Sequence, residues 1–326
     1  MSTSKVSAEE DQVPFSVTPV LPENQVNEEV TYFDIEMTQN QRQNLEIIIH
    51  NSSDEEIELE ISTHFAATNS NGVITYDGSI DTYHESMNYA FDDISSVNTE
   101  QITVEADSEE TVVVNVEAPD ESFDGMILGG IFVTQEADNN NEESAVDIIN
   151  QYAYALAVQI TEEGNDTEVE PDLGLESVSA GLINHRTGLQ TTFYNPTPTL
   201  IQELHIKAEV FENGSDEPLF TEENESFNVA PNNVFNFPVS FNNERLEPGD
   251  YTFRATAENE SHQWEFEETF EITEEEAEDG NEGAVELVEP EATQDNTLMY
   301  ILLAIGAVVT LLLIVVIVLL LRRKKS

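Results

Sequence analysis

The sequence predicts an all-β protein: two immunoglobulin-like β-sandwich domains in tandem, followed by an acidic stalk and one C-terminal transmembrane helix. Three observations predict it. Through most of the 326 residues apolar side chains alternate with polar ones at period two, the mark of strands that turn one face to a core. Acidic breaks at 163–172 and from 274 onward interrupt that alternation and divide the chain into two folded units. From Leu298 to Leu321 there are then 24 residues without a charge.

Residues 1–12, MSTSKVSAEEDQ, hold too little apolar content to fold and read as a disordered N-terminal segment. They contain no apolar core of a signal peptide, yet Val6-Ser7-Ala8 has the small-residue pattern of a cleavage site. The expectation is an export signal upstream of this sequence. Residues 13–162 form the first sandwich. Leu45, Ile47 and Ile49 alternate up to the turn at Asn51-Ser52-Ser53-Asp54, and Ile57, Leu59 and Ile61 alternate after it; Val112, Val114 and Val116 repeat the pattern, as do Tyr152, Tyr154, Leu156, Val158 and Ile160. The glycines inside 125-GMILGGIFV-133 mark a bulge or a close backbone approach.

A linker, EGNDTEVEPD, covers 163–172, and the second sandwich covers 173–273. Its strands carry Leu204, Ile206, Ala208 and Val210; Phe235, Phe237, Val239 and Phe241; Tyr251, Phe253, Ala255 and Ala257; and Trp264, Phe266, Phe270 and Ile272. Asn213-Gly214 and Glu247-Pro248-Gly249-Asp250 supply turns between them. About 100 residues with seven or so short strands fit an immunoglobulin-like sandwich without its disulfide, with Trp264 in the core and its indole N–H on a partner. Residues 274–297 read as an acidic stalk too poor in apolar side chains to fold. Extended from Thr273, it reaches about 85 Å.

The charge-free run makes a helix about 36 Å long, more than the roughly 30 Å hydrocarbon core, so it spans with tilt. Arg322, Arg323, Lys324 and Lys325 in the tip 322–326 stop transfer on the cytoplasmic side. The expected location is therefore the cell membrane, single-pass, with the N-terminal domains extracellular and the C-terminus cytoplasmic. Gly306 and Thr310, four apart, are a weak small-residue pair for helix association.

Ten Lys and Arg stand against 67 Asp and Glu, a net charge of −57. Such a field repels phosphate backbones and excludes nucleic-acid binding. The charge also favours a salty or alkaline setting in which self-repulsion is screened. There is no cysteine, which for stacked β-domains in an oxidising compartment points to a bacterial exterior. Five Asn-x-Ser/Thr sequons, at Asn51, Asn165, Asn213, Asn224 and Asn259, are discounted as chance matches in an Asn-rich chain.

No catalytic, cofactor or metal motif is present. The six histidines (His50, His64, His84, His185, His205 and His262) form no HExxH pair, with His50 and His205 expected in surface or cross-strand roles. Asp92 and Asp93 carry no glycosidase signal by themselves. The oxygen-rich segments 138-DNNNEES-144 and 163-EGNDTE-168 lack the EF-hand spacing and read as solvated loops.

In order and spacing, 15-FSVTPVLPENQ-25, 32-YFDIEM-37, Asn51-Ser52-Ser53, 66-AATNSNGVITY-76 and 125-GMILGGIFV-133 resemble the first domain of the WxL-interacting protein family of Gram-positive bacteria. The motifs 195-NPTP-198, 230-APNNVFNFPV-239, 246-LEPGDYTFRATA-257 and 264-WEFEETFEI-272 resemble its second. The resemblance implies a peptidoglycan-binding domain, then a host- or matrix-binding domain, and pairing with secreted WxL-domain surface proteins. The leading expectation is a non-enzymatic, membrane-anchored scaffold with peptidoglycan and a WxL-domain protein as partners. An adhesin for host matrix protein or external polysaccharide stays open as the second reading, and a wall-active hydrolase as the third.

Overall fold

The computed structural model describes residues 13–135 and 151–288. In chain order the first domain contains β1 (Phe15–Val20), β2 (Phe33–Met37), β3 (Arg42–Asn51), β4 (Ile57–Phe65), a short pair β5 (Ala67–Thr68) and β6 (Ile74–Thr75), the one-turn α1 (Phe91–Ile94), β7 (Ser95–Val97), β8 (Gln101–Val104), β9 (Glu109–Glu117), β10 (Ile127–Gln135) and β11 (Ala153–Glu162). One sheet runs β1-β3-β9-β7 and the other β2-β11-β10-β4-β8. All pairings are antiparallel except β2 with β11. The alternating residues of β3, β4 and β9 face one another as a buried core, each such side chain stabilising by about 1.5–3 kcal/mol.

The second domain adds β12 (Gly174–Ile183), β13 (Arg186–Tyr194), β14 (Ile201–Glu212), β15 (Phe220–Val229), β16 (Val234–Ser240), β17 (Gly249–Glu258), β18 (Gln263–Ile272) and α2 (Glu274–Gly283). Its sheets run β12-β13-β16 and β15-β14-β17-β18. Phenylalanine dominates this core: Phe193 lies against Phe235, Phe253 and Phe266. Trp264, expected in the core, is instead half-buried at its rim, stacked on His262 at 5.6 Å. It sits at the second position of the edge strand β18, where the sheet ends.

The same amide staple closes one turn in each domain. Asn51, fully buried at the end of β3, donates to the carbonyls of Glu55, Val104 and Glu105 and accepts from the Ser53 N–H and hydroxyl. Asn195, fully buried after β13, donates to Thr199 and Ala230 and accepts from the Thr197 N–H and hydroxyl. Asn165 in the linker repeats the acceptor half with Thr167 and ties the linker to Phe123. Asn-x-Ser/Thr in these places is turn chemistry, the side chain of residue i accepting from residue i+2.

The long connection from β4 to α1 joins the domains. Thr68 N–H donates to Asn233 Oδ1 at 2.9 Å, and its hydroxyl accepts from Ala230 N–H at 2.8 Å. Met126 N–H donates to Pro198 O, His84 stacks on Tyr194 at 4.6 Å, and Ala66, Leu128 and Ala230 form a small buried cluster flanked by Tyr76 and Leu200. The paired glycines of β10 have their reason here: a Cβ on Gly129 would lie 2.3 Å from Phe91, and one on Gly130 2.6 Å from Tyr76. The chain makes a close approach at this point, and the β10 pairings hold their register throughout. Burial, with Tyr32 nearby, pushes the Tyr76 phenol up to about 12.

The stalk expectation needs correcting. Its first ten residues form α2, begun by a capping box in which Thr273 and Glu276 bond reciprocally and three glutamates meet the helix N-terminus. Small residues do what larger apolar ones were expected to do: Ala277 is buried and Gly280 lets the helix close on Leu246, whose N–H and C=O both bond Asn281. Residues beyond the helix stay attached, Val285 N–H to His185 O and Val288 N–H to Asn243 O, each at 2.8 Å. From Val288 to Leu298 the chain reaches at most about 34 Å, well short of 85 Å. No helix among the described residues is long and apolar enough to cross a membrane. The expected span Leu298–Leu321, Arg322, Arg323, Lys324 and Lys325, the Gly306/Thr310 pair, residues 1–12 and 138–144 lie outside the described residues.

Candidate functional site

A cleft of ≈930 Å³ opens at one end of the β1-β3-β9-β7 sheet. Register builds its floor. Asn44 lies opposite Asn115, and Ser96 lies opposite Asn115 on the other side, so a row of two amides and a hydroxyl crosses three strands on the outer face. Because β7 begins only at Ser95, opposite Val116, the end of β9 and Ala118–Asp120 run on without a neighbouring β7 residue. Tyr89, Asp93 and Ile94 from the α1 region wall the opening instead.

The groups in this cleft are held before any ligand arrives. Gln43 exchanges two hydrogen bonds with Asn24, at 2.9 and 2.8 Å, and accepts a third from Gln41. Asn115 donates to Asn98, and Tyr89 sits edge-on to Phe123. At the rim Arg42 and Glu117 pair at 2.9 Å, the carboxylate raising the guanidinium pKa. The Ser95 hydroxyl oxygen is buried with no partner among the described residues. Amides and hydroxyls offer donors and acceptors side by side without net charge. The charged side chains of the lining, Asp93, Glu117 and Asp120 against Arg42, leave it acidic, so it suits a ligand dense in hydroxyl and acetamido groups and matches an anionic polymer poorly.

The histidines take structural partners. His50 faces Glu109 across strands at 3.6 Å, and His205 stands between Glu223 and Glu258 at 2.8 and 3.9 Å, as their strand positions implied. His262 meets Glu170 at 3.1 Å. Ser62 and His64 are 2.8 Å apart near Asp77, a grouping of nucleophile, base and acid residue types. The Asp77 carboxylate, however, accepts from the Ser79 N–H and hydroxyl, and the His64 ring is pressed beneath Gly78. Asp92 and Asp93 are both exposed on α1, and no metal-holding group of three or more His, Cys, Asp or Glu side chains occurs among the described residues.

Sequence reasoning did not find the cleft. Asn44, Ser96 and Asn115 are ordinary outward polar positions in their own strands, and only pairing across some seventy residues makes them a row. The one available signal was their alternation with core residues, which every outer-face residue shares.

A family model described as WxL Interacting Protein, peptidoglycan binding domain, matches residues 15–135. Another, described as WxL Interacting Protein, host binding domain, matches residues 143–282. The second range begins ahead of β11, which the structure pairs with β10 and β2 in the first domain. No curated protein matches the chain. Similar solved structures include the CsuC–CsuE chaperone–tip adhesion subunit pre-assembly complex of Acinetobacter baumannii, at 10% identity, covering 78% of this chain and 98% of that chain with a TM-score of 0.33. The Salmonella enterica SafA pilin in complex with the SafB chaperone is another, at 12% identity, 72% and 98% coverage and a TM-score of 0.30. Likeness at that level bears on neither site nor function.

Proposed function

The chain belongs to the WxL-interacting protein family, and from that premise we propose a non-enzymatic cell-surface scaffold that holds peptidoglycan in the domain 1 cleft and pairs with a WxL-domain protein. Both matched models describe binding domains, which supports a peptidoglycan-associated role at the cell surface. One observation carries the assignment of the site: the Asn44–Asn115–Ser96 row, with Gln43 held beside it. A net charge of −57 repels anionic wall polymers, whereas the glycan strand of peptidoglycan is neutral and rich in acetamido and hydroxyl groups. The charge-free run at 298–321 moors the scaffold in the membrane, with domain 2 nearer the bilayer and domain 1 reaching outward into the wall.

Co-sedimentation with purified sacculi tests this reading. Retention is expected at both low and high salt, with Asn44→Ala combined with Asn115→Ala weakening it about thirtyfold, the loss of two hydrogen bonds of roughly 1 kcal/mol each. Unchanged retention by the double variant moves the site elsewhere, and no retention of the parent chain rejects the role. Release of soluble fragments from the sacculi would replace the scaffold with a hydrolase. The family description of domain 2 as host-binding favours an adhesin for matrix protein as a second reading, tested by binding of immobilised matrix proteins. Protease added to intact cells should digest both domains, and protection there with digestion in lysed cells would refute the topology.

A further inference from the structure

Asn-Gly occurs twice in the chain, at Asn71-Gly72 and at Asn213-Gly214. A glycine after asparagine leaves the next backbone nitrogen unhindered, so that nitrogen can attack the side-chain amide carbon and close a five-membered ring. Closure needs a free N–H and a main chain able to rotate. The fold treats the two sites in opposite ways. Gly72 N–H donates to Asn69 O at 3.0 Å, Gly72 O accepts from Asn228 N–H at 3.0 Å, and Asn71 O accepts from Asn224 Nδ2 at 3.3 Å. Gly72 is buried, and a Cβ there would lie 2.4 Å from the Phe227 ring. That turn is clamped between the domains.

Gly214 has no such clamp. It is exposed, and a Cβ on it would meet nothing within 4 Å. Neither its N–H nor the Asn213 side-chain amide has a hydrogen-bond partner among the described residues. One bond, Ser215 N–H to Glu212 O at 2.9 Å, closes the turn from β14 to β15, and Gly214, at a φ of 83°, has no Cβ to resist rotation. Asn213 N–H donates to Asp250 O at 3.0 Å, and Asn213 lines a domain 2 cleft of ≈570 Å³. There the exposed Leu219 and Val288 accompany the stacked rings of Phe220 and Phe241, with Glu212 and Asp250 also in the lining.

We propose that Asn213 is a site of spontaneous deamidation, and that the fold protects Asn71 from the same reaction. The Gly214 nitrogen gives up its proton and bonds to Asn213 Cγ, the side-chain amide leaves as ammonia, and water opens the resulting imide at either carbonyl. One opening gives aspartate. The other gives isoaspartate, whose main chain runs through Cβ and Cγ and is one carbon longer. Either product adds a carboxylate to the cleft wall, and the longer one breaks the bond from Ser215 to Glu212. The domain 2 cleft therefore changes as the protein ages, whereas the turn between the domains does not. Glu212, Asp216, Glu217 and Asp250 oppose the nitrogen anion that starts the ring, so salt that screens them speeds the step. Neither step depends on what the domains bind.

The test incubates the full chain in detergent micelles in mildly alkaline buffer. Peptide mass spectrometry follows the gain of one mass unit at each site, and isoaspartate-specific methylation identifies the product. In the folded chain Asn213 should convert at least tenfold faster than Asn71, with isoaspartate in excess over aspartate. In urea, where only the shared dipeptide remains, the two should convert at similar rates. Gly214→Ala should slow Asn213 at least tenfold, and added salt should speed it in the folded parent. Asn213→Gln, an exposed change that the fold tolerates, should abolish the signal at that site. The aged parent should exchange the Ser215 amide proton faster than Asn213→Gln treated alike, with Gly72 exchange the same in both. Equal rates in the folded chain, or a slower Asn213, overturn the proposal. So does an Asn213 that stays intact in the folded chain while converting in urea. A tenfold difference that persists in urea also overturns it, because flanking residues rather than the fold would then set the rates.

Discussion

Asn51 and Asn195 perform the same work in the two domains, each a buried amide closing the turn after its strand, β3 or β13, with a hydroxyl two residues on. The clefts of those domains differ in kind. Domain 1 lines its cleft with amides and hydroxyls around an ion-paired Arg42, whereas domain 2 surrounds exposed leucine, valine and stacked phenylalanine with carboxylates that make no ion pair among the described residues. A shared frame thus supports one surface rich in amides and hydroxyls and another that is apolar with an acidic rim. The frame sets where backbone ends are sealed, and outward side chains, free of packing demands, set the ligand.

The likeness breaks most sharply if the staples are not equivalent. Asn51→Ala and Asn195→Ala should each cost about 3–5 kcal/mol by urea unfolding, since several buried carbonyls and an N–H lose their partner. A loss under about 1 kcal/mol in either denies the common role. Next in size is the junction, tested through Tyr76. Its folded pKa of about 12 exceeds the ordinary value near 10, so the neutral phenol contributes stability fully present below pH 10 and lost as pH climbs toward 12. The loss is about 2–3 kcal/mol. Tyr76→Phe should abolish that alkaline loss, and a parent chain whose interdomain scattering distance stays constant to pH 12 would show that Tyr76 does not hold the domains together.

A smaller effect sharpens the boundary of domain 2. Thr273→Ala removes the α2 cap and should cost about 1 kcal/mol, read as faster amide exchange in 274–283 with domain 1 unaffected. Exchange in the parent as fast as in an unstructured peptide would restore the stalk reading. Smallest of all, Arg42→Ala should leave the unfolding midpoint unmoved, because its pair with Glu117 is exposed on both sides. A clear drop would mean that the rim of the domain 1 cleft is structural.

The strands at 45–49, 57–61, 112–116, 204–210, 251–257 and 264–272 were legible because alternation is local: a strand's own side chains report which face is buried. β7, β8, β12, β13 and β15 were not singled out by that signal. Glu222, Glu223, Glu225 and Asn224 in β15 occupy outer and rim positions, so its composition resembles a loop. α2 escaped notice because its stability comes from a cap and from two small residues closing on Leu246, and neither raises mean apolarity. The sequons were read as chance, and at Asn51 and Asn165 the pattern proved to be turn chemistry, visible only once carbonyls distant in sequence converged on the amide.

By itself the sequence determined the β class, the two-part division, the charge and the charge-free run near the end, because each is a property of neighbouring residues or of their sum. Tertiary structure alone decided the two clefts, the junction and the shortened tether. Those depend on which strands lie side by side and which small residues permit contact, and long-range pairing of that kind leaves no mark on the residues that take part in it.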